Sequence, residues 1–87
     1  MSNDLISLPN IGKTLAVRLD QADIHNYDDL AAIGSIEAVL RVKEANLDAC
    51  YNMLYALEGA IQGMRWHAIP KEERAQLKVE FDQARLN

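Results

Sequence analysis

LPNIGKTLA, residues 8–16, places a tight turn between two helical segments. Its proline interrupts a helix, and its asparagine and glycine tolerate left-handed backbone angles. A short helix over about residues 4–8 is therefore expected before the turn. After the turn, apolar residues at helical spacing predict a second helix over about residues 13–22. This arrangement is typical of a helix-hairpin-helix turn.

The rest of the chain continues with helices and turn signals, and no run of residues alternates with the period of a strand. Asn26 caps a third helix that ends at Gly34, and Ser35 caps a fourth. A long apolar stripe and a first-turn proline mark the last two helices. The predicted spans are about 26–34, 35–44, 47–65 and 70–85. We therefore predict an all-α fold, a compact bundle of four to six helices with SAM-like helix-hairpin-helix turns.

A local pattern recurs later in the chain. The pattern L-x-x-I-G begins at Leu8 and again at Leu30, each time at the end of a predicted helix. Two hairpins related by pseudo-symmetry would form a four-helix unit, and the last two helices would pack against it. Coincidence is the alternative interpretation, because Leu, Ile and Gly are common residues.

Length and cysteine content indicate one intracellular domain, residues 1–87. The single cysteine, Cys50, cannot form an intramolecular disulfide and suits a reducing cytoplasm. The sequence has no apolar run long enough to span a membrane and no signal peptide. We therefore expect a cytoplasmic protein that does not act at a membrane.

Candidate catalytic and metal-binding groups are scarce. His25 and His67 are isolated from each other and from other ligands at metal-binding spacing. The sequence also contains neither a catalytic triad nor a phosphate-binding glycine loop. We therefore expect no catalytic residues, no bound metal and no cofactor, and we interpret the protein as a binding module rather than an enzyme.

The net charge is −4, and the excess of acidic residues lies in the N-terminal half. Residues 1–40 contain six acidic and two basic residues, whereas residues 41–87 contain seven of each. Because affinity for nucleic acid comes largely from neutralising phosphates, this balance argues against strong DNA binding by the chain alone.

The hairpin is the candidate nucleic-acid site, with Asn10, Ile11, Gly12 and Lys13 as its residues. Its backbone N–H groups and those at the start of the next helix can donate to a phosphate oxygen, and Lys13 adds positive charge. Asn10 replaces the first glycine of the usual Gly-hydrophobic-Gly turn, and its side chain is expected to crowd a phosphate. The alternative is a hairpin that only joins two helices, with Ile11 in the core.

A second candidate surface follows one face of the long helix. Its members lie at spacings of 4, 3, 4 and 3 and are Tyr51, Tyr55, Glu58, Gln62 and Arg65. Tyr and Arg are common interface anchors, so the stripe is a candidate docking face for a partner. The alternative is structural, because a partly buried Glu58 needs Gln62, Arg65 or hairpin N–H groups as partners.

Small residues form another edge of the same helix: Ala56, Gly59, Ala60 and Gly63. A glycine inside a helix costs roughly 1 kcal/mol relative to alanine, so the close approach of another backbone is expected to compensate. That neighbour is either another helix of the same chain or a second copy. The protein is accordingly expected to be a monomer or a homodimer.

The hairpin and the long helix together resemble the C-terminal domain of the TfoX/Sxy family of competence regulators. One part of the resemblance is LPNIG at residues 8–12, followed by IGSxEA at 33–38. The more specific part is LYALEGAIQGxRW at 54–66, and the similarity covers about residues 5–80. It implies a bacterial protein related to regulators of DNA uptake and natural transformation. In two-domain members this domain follows an α/β domain, and a separate copy of the helical domain is expected here.

The resemblance also implies a mode of action, because family members assist transcription through partner proteins. We therefore expect a non-enzymatic regulatory module that acts mainly through protein–protein contacts, with a transcription-related partner. The alternative is weak, sequence-independent DNA binding by the hairpin. Basic residues gathered around the hairpin in the folded protein would favour that alternative.

Overall fold

The computed structural model describes residues 4–44 and 51–86, and every regular element in these ranges is helical. The elements are a 3-10 segment at Asp4–Ser7, α1 at Lys13–Gln21, α2 at Tyr27–Glu44, α3 at Tyr51–Gln62, a second 3-10 segment at Trp66–Ala68 and α4 at Lys71–Leu86. The prediction of an all-α bundle is confirmed.

α1 begins directly after the hairpin, with Gly12 as its N-cap, and ends in a Schellman turn. Asp23 adopts a left-handed φ of 67° after the helix. Its N–H donates to the Asp20 carbonyl at 3.1 Å, and the Ile24 N–H donates to the Leu19 carbonyl at 2.9 Å. These bonds satisfy carbonyls at the helix end and reverse the chain so that Leu19 and Ile24 are both buried.

α2 is interrupted at Gly34, where φ is 83°. The sequence predicts two helices here, and the structure joins them into one element whose geometry breaks at the predicted glycine. The predicted N-cap is confirmed, because the Asp29 N–H donates to Asn26 Oδ1 at 2.8 Å. Both halves of α2 bury apolar residues, including Leu30 before the break and Val39 after it.

α3 ends at Gln62, whereas the sequence predicts Arg65 as the last residue of this helix. Gly63 has a φ of 77°, and the Met64 N–H donates to the Gly59 carbonyl at 2.8 Å. This is the long bond of a Schellman turn. The prediction that Gly63 lies on a helical edge is therefore wrong, because this glycine terminates the helix.

The hairpin before α1 differs from the predicted pattern in two respects. The segment that precedes it, Asp4–Ser7, is 3-10 rather than α-helical. The left-handed residue is Asn10, with a φ of 68°, while Gly12 is extended. Where the pattern recurs, the glycine itself, Gly34, has the positive φ. The two occurrences thus share a sequence pattern but not a backbone conformation, and the helix-hairpin-helix geometry stays a prediction.

The core forms between α2 and α3, with α1 packed on α2 and α4 packed on both central helices. α4 contributes Leu77 and Phe81, as its periodicity predicts. The predicted start of the long helix and Cys50 lie outside the described residues. The apolar side chains of the central pair that are fully buried include Leu30, Val39, Val42, Leu54 and Leu57.

Candidate functional site

Asn10 ties the hairpin to the end of α3. Its Nδ2 donates to the Met64 carbonyl at 2.9 Å and to the Ala56 carbonyl at 3.3 Å. Its Oδ1 accepts the backbone N–H of Trp66 at 3.1 Å. The side chain therefore points into the protein. The expectation that it crowds the phosphate side of the hairpin is wrong, because its amide is used to fix the turn.

Gly59 lies directly against this amide. A Cβ at Gly59 would be 2.5 Å from Asn10 Nδ2 and 2.7 Å from the Met64 carbonyl oxygen. The close approach predicted for the small-residue edge exists at Gly59, but the neighbour is not the other helix that the sequence predicts. The neighbour is the hairpin and the chain that follows α3, so this contact is made within the chain.

A shallow recess beside the hairpin is lined by Arg65 and by residues 7–11. Ile11 is buried in the core, whereas Gly12 and Lys13 are exposed. Lys13 is the first residue of α1, and the first turn of that helix contains no acidic residue, so its N–H groups keep their partial positive charge. Arg65, which the sequence places on the docking stripe, is thus brought to the hairpin.

Tyr51 and Tyr55 are partly covered by α4 and by the second 3-10 segment. The Tyr51 hydroxyl donates to Asp82 Oδ1 at 2.7 Å, and this hydrogen bond raises the pKa of Tyr51. The Tyr51 ring meets Phe81 edge-on with centroids 6.0 Å apart. Tyr55 stacks on Trp66 with centroids 6.5 Å apart. Two residues of the predicted docking stripe are therefore oriented by contacts within the chain.

Glu58 joins α3 to α2. Ser35 Oγ donates to Glu58 Oε1 at 2.7 Å, and Gln62 Nε2 donates to Glu58 Oε2 at 2.5 Å. Gln62 is a predicted partner because it lies one turn further along the same helix. Ser35 is a partner that the sequence analysis misses, because no local signal links residues on two different helices. Glu58 and Gln62 thus form the structural tie that the sequence left open as an alternative.

Cations of α4 cover aromatic rings along its boundary with α3. The Arg74 guanidinium is 5.6 Å from the Trp66 ring centroid, and Lys78 Nζ is 4.9 Å from that of Tyr51. Such contacts are attractive because the face of an aromatic ring carries negative potential. We call this surface the α3/α4 seam, and it consists of Tyr51, Tyr55, Trp66, Arg74, Lys78 and Arg85.

The basic residues of the seam are absent from the sequence-based site. The sequence analysis uses α4 only for its apolar residues. A signal was available in the spacing of Lys71, Lys78 and Arg85, which lie seven positions apart and hence on one flank of a helix.

His25 lies among carboxylates in the turn between α1 and α2. Its Nδ1 is 2.6 Å from Asp20 Oδ1, and its Nε2 is 3.7 Å from Asp23 Oδ1. The hydrogen bond to Asp20 raises the pKa of His25 above its ordinary value. The ring is exposed, and the backbone N–H of His25 donates to Asp29 Oδ2 at 3.0 Å. His25 therefore has the character of a solvated turn residue.

The described residues were searched for a metal site and for a membrane-spanning helix. In residues 4–44 and 51–86, no three His, Cys, Asp or Glu side chains are grouped as ligands of a metal would be. None of the helices in these ranges has the length and apolar content needed to cross a bilayer. The chemically distinctive surfaces are the hairpin with its exposed Lys13 and the α3/α4 seam. The fold defines a small all-α domain.

Comparison with known proteins places this domain in a family. The chain belongs to the TfoX C-terminal domain family, whose model matches residues 1–81. The family resemblance seen in the sequence is thereby confirmed. No curated protein matches the chain.

Two solved structures share the fold at substantial sequence identity. An uncharacterized protein from Listeria monocytogenes, in a triclinic crystal form, is 42% identical with a TM-score of 0.85 over 93% of this chain and 92% of that one. A protein of unknown function from Listeria monocytogenes, in a tetragonal form, is 44% identical with a TM-score of 0.82 over 91% of this chain and 96% of that one. Family and neighbours together suggest a domain without catalytic activity.

Proposed function

We propose that this chain is a non-enzymatic regulatory module that acts mainly through protein–protein contacts, in the manner of regulators of competence and DNA transformation. The observation that carries the proposal is the α3/α4 seam. The partly exposed rings of Tyr55 and Trp66 stack there, and the Arg74 guanidinium lies over the Trp66 ring. These three residue types supply most of the strongly contributing residues of protein interfaces.

The contacts within the seam support docking because they already order side chains that would otherwise have to be ordered when a partner binds. The Tyr51 hydroxyl is held by Asp82, and the Tyr55 ring is held by Trp66. The Arg74 guanidinium lies over the Trp66 ring. Side chains that are already ordered lose less conformational entropy on binding, so more of the contact energy appears as affinity.

The distribution of charge favours a protein over DNA as the main partner. The chain carries a net charge of −4, which repels a polyanion at long range. The cations of the seam act at short range and can pair with individual carboxylates of a partner protein. The net negative charge of the chain is therefore compatible with the docking of a protein on the seam.

Site-specific photo-cross-linking tests protein docking on the seam. A photoreactive phenylalanine derivative at Asn52, which is exposed on α3 beside Tyr51, should form an adduct with a defined partner protein in cells. The same residue at Gln21, exposed at the end of α1, is the matched control and should not form that adduct. Equal adducts at both positions, or adducts with nucleic acid alone, would contradict the proposal.

A second candidate function is weak, sequence-independent DNA binding by the hairpin. The observation that favours it is Arg65, which lines the same recess as Asn10 and Ile11, next to the exposed Lys13. Two cations and the free N–H groups at the start of α1 are suited to a phosphate. The inward turn of the Asn10 side chain also leaves the outer side of the hairpin open.

A titration of fluorescent duplex DNA tests this second function. Binding at low salt that weakens steeply near ~150 mM salt, and that is lost in Lys13→Glu, would support phosphate contact by the hairpin. Lys43→Glu, at an exposed position near the end of α2, is the control for a general loss of positive charge. Absence of binding even at low salt would exclude the hairpin as a DNA site.

A further inference from the structure

We infer that the partner protein docks on the α3/α4 seam through an acidic segment, whose carboxylates pair with a line of three cations on α4. These cations are Lys71, Arg74 and Lys78, and we call them the basic line. The inference rests on the proposed function, because it names the chemistry of the partner that the seam receives. It depends on the position of the three cations, on their lack of carboxylate partners and on the aromatic rings beside them.

The basic line follows one side of α4. Its members are spaced by three and four residues, so they lie on successive turns of the same side of the helix. The line is about 10.5 Å long along the helix axis. Lys71 and Lys78 are exposed, and Arg74 between them is half-buried. The three side chains therefore form one positive strip that a partner can reach.

The carboxylates of the chain do not neutralise the basic line. On α4, Glu72, Glu73 and Glu80 lie roughly 125° or more around the helix from the middle of the line. No member of the line forms an ion pair with a residue that the structure describes. In a chain with 13 acidic and 9 basic residues, three neighbouring cations thus keep their charge available to a partner.

Asp82 limits the basic line at its C-terminal end. This residue lies one turn beyond Lys78, and its Oδ1 accepts the Tyr51 hydroxyl at 2.7 Å. The same oxygen is 3.6 Å from Arg85 Nη1, so Arg85 is already paired and does not belong to the line. A partner therefore needs carboxylates only over the two turns of α4 from Lys71 to Lys78.

Arg74 is the central member of the line and its strongest anchor. Its guanidinium lies 5.6 Å from the centroid of the Trp66 ring. Its Nε is buried and has no hydrogen-bond partner among the described residues. Water screens a half-buried charge less than an exposed one, so a carboxylate gains more from Arg74 than from a surface lysine.

Aromatic rings add an apolar surface beside the cations. Lys78 Nζ lies 4.9 Å from the centroid of the Tyr51 ring, and Tyr55 stacks on Trp66. A protein segment can use both features, because it combines carboxylates with apolar side chains. A nucleic acid gains affinity mainly from the number of phosphates neutralised, and three cations on a chain of net charge −4 supply few such contacts. The observations therefore favour an acidic protein segment.

Anisotropy of fluorescein-labelled deca-glutamate, titrated with the full chain at low salt, tests the inference. We expect saturable binding that weakens near ~150 mM salt. Lys71→Gln/Lys78→Gln should weaken it by roughly fivefold, because two ion pairs are lost. Arg41→Gln/Lys43→Gln, at exposed positions of α2, is the matched control and should leave the affinity nearly unchanged. Both double variants change the net charge equally, and thermal denaturation establishes that each is folded.

Labelled deca-thymidylate, titrated in the same way, tests a nucleic acid as the occupant. It should bind more weakly than deca-glutamate. Absence of deca-glutamate binding at low salt would overturn the inference. Equal weakening in the two double variants, or tighter binding of deca-thymidylate than of deca-glutamate, would also overturn it.

Competition separates the inference from the proposed function. Deca-glutamate should reduce the photo-cross-linked adduct at Asn52 severalfold, whereas deca-glutamine should not. An adduct that persists in excess deca-glutamate would leave protein docking in place and overturn the acidic segment alone. Absence of any protein adduct at Asn52 would contradict the proposed function and the inference with it.

Discussion

Asn10 combines two properties that few side chains share. It adopts a left-handed φ of 68° at low cost, and its amide both donates and accepts hydrogen bonds. That amide bonds to three backbone groups, the Ala56 carbonyl within α3 and the Met64 carbonyl and Trp66 N–H beyond it. A position that resembles the start of a phosphate-binding turn in the sequence thus has a structural role in the fold.

Replacement of Asn10 by alanine should lower the free energy of unfolding by about 2–4 kcal/mol. The change removes three hydrogen bonds. It also places alanine, whose side chain cannot form a hydrogen bond, in the left-handed region. Urea denaturation measures the loss. Asn10→Gly is the control for the backbone angle and should recover about 1 kcal/mol of it. A loss below about 0.5 kcal/mol in Asn10→Ala would show that the amide contributes little.

The backbone of Asn10 could be predicted from the sequence, but the direction of its side chain could not. Asparagine after proline in a short turn is a local signal for a left-handed residue. The partners of the amide are 46 to 56 positions further along the chain, so they are set by the packing of α3 against the hairpin. The same limit applies to Ser35 and Glu58, whose bond joins two helices.

His25 should make stability depend on pH near neutrality. Its pKa is raised in the folded protein by the hydrogen bond to Asp20, so the protonated ring favours folding. The contribution is fully present below the unfolded pKa of 6.5 and is lost as pH rises through the folded pKa. In the wild type, the melting temperature should therefore fall as the pH rises from about 6 to about 8. In His25→Gln this part of the slope should vanish, and an unchanged slope would contradict the role of the ring.

At the scale of the elements, two glycines of similar sequence context have different functions. Gly59 lies within α3 and allows the hairpin to approach the helix backbone. Gly63 lies beyond the helix, with a φ of 77° that ends it. Sequence periodicity predicts the helices themselves well, because it reflects the buried face of each one. Periodicity does not distinguish the role of Gly59 from that of Gly63, since the sequence places both on the same helical edge.

Gly59→Ala should destabilise the fold by about 1–3 kcal/mol, although alanine is the better helix former. The added methyl would overlap Asn10 Nδ2 and the Met64 carbonyl oxygen. In an Asn10→Gly background the same substitution should cost less, because one of the two overlapping groups is gone. A double-mutant cycle by urea denaturation measures this coupling, and strictly additive effects would show that the two residues do not interact.

At the scale of the whole molecule, charge is segregated in a way that the net value of −4 conceals. Carboxylates surround the turn between α1 and α2, where His25 meets Asp20 and Asp23. Cations line the α3/α4 seam, and two of them, Lys78 and Arg85, lie at the same spacing as Lys71 on one flank of α4. That shared flank can be predicted from the spacing of seven residues alone. The seam cannot, because it depends on how α3 and α4 pack.

Photo-cross-linking from Asn52 in cell extract with an excess of duplex DNA tests protein docking on the seam most directly. The adduct with the partner protein should persist in the presence of DNA. It should fall severalfold in Arg74→Gln, which removes the cation over Trp66, provided that thermal denaturation shows this variant to be folded. Displacement of the adduct by DNA, or an unchanged yield in folded Arg74→Gln, would contradict docking of a protein on this surface.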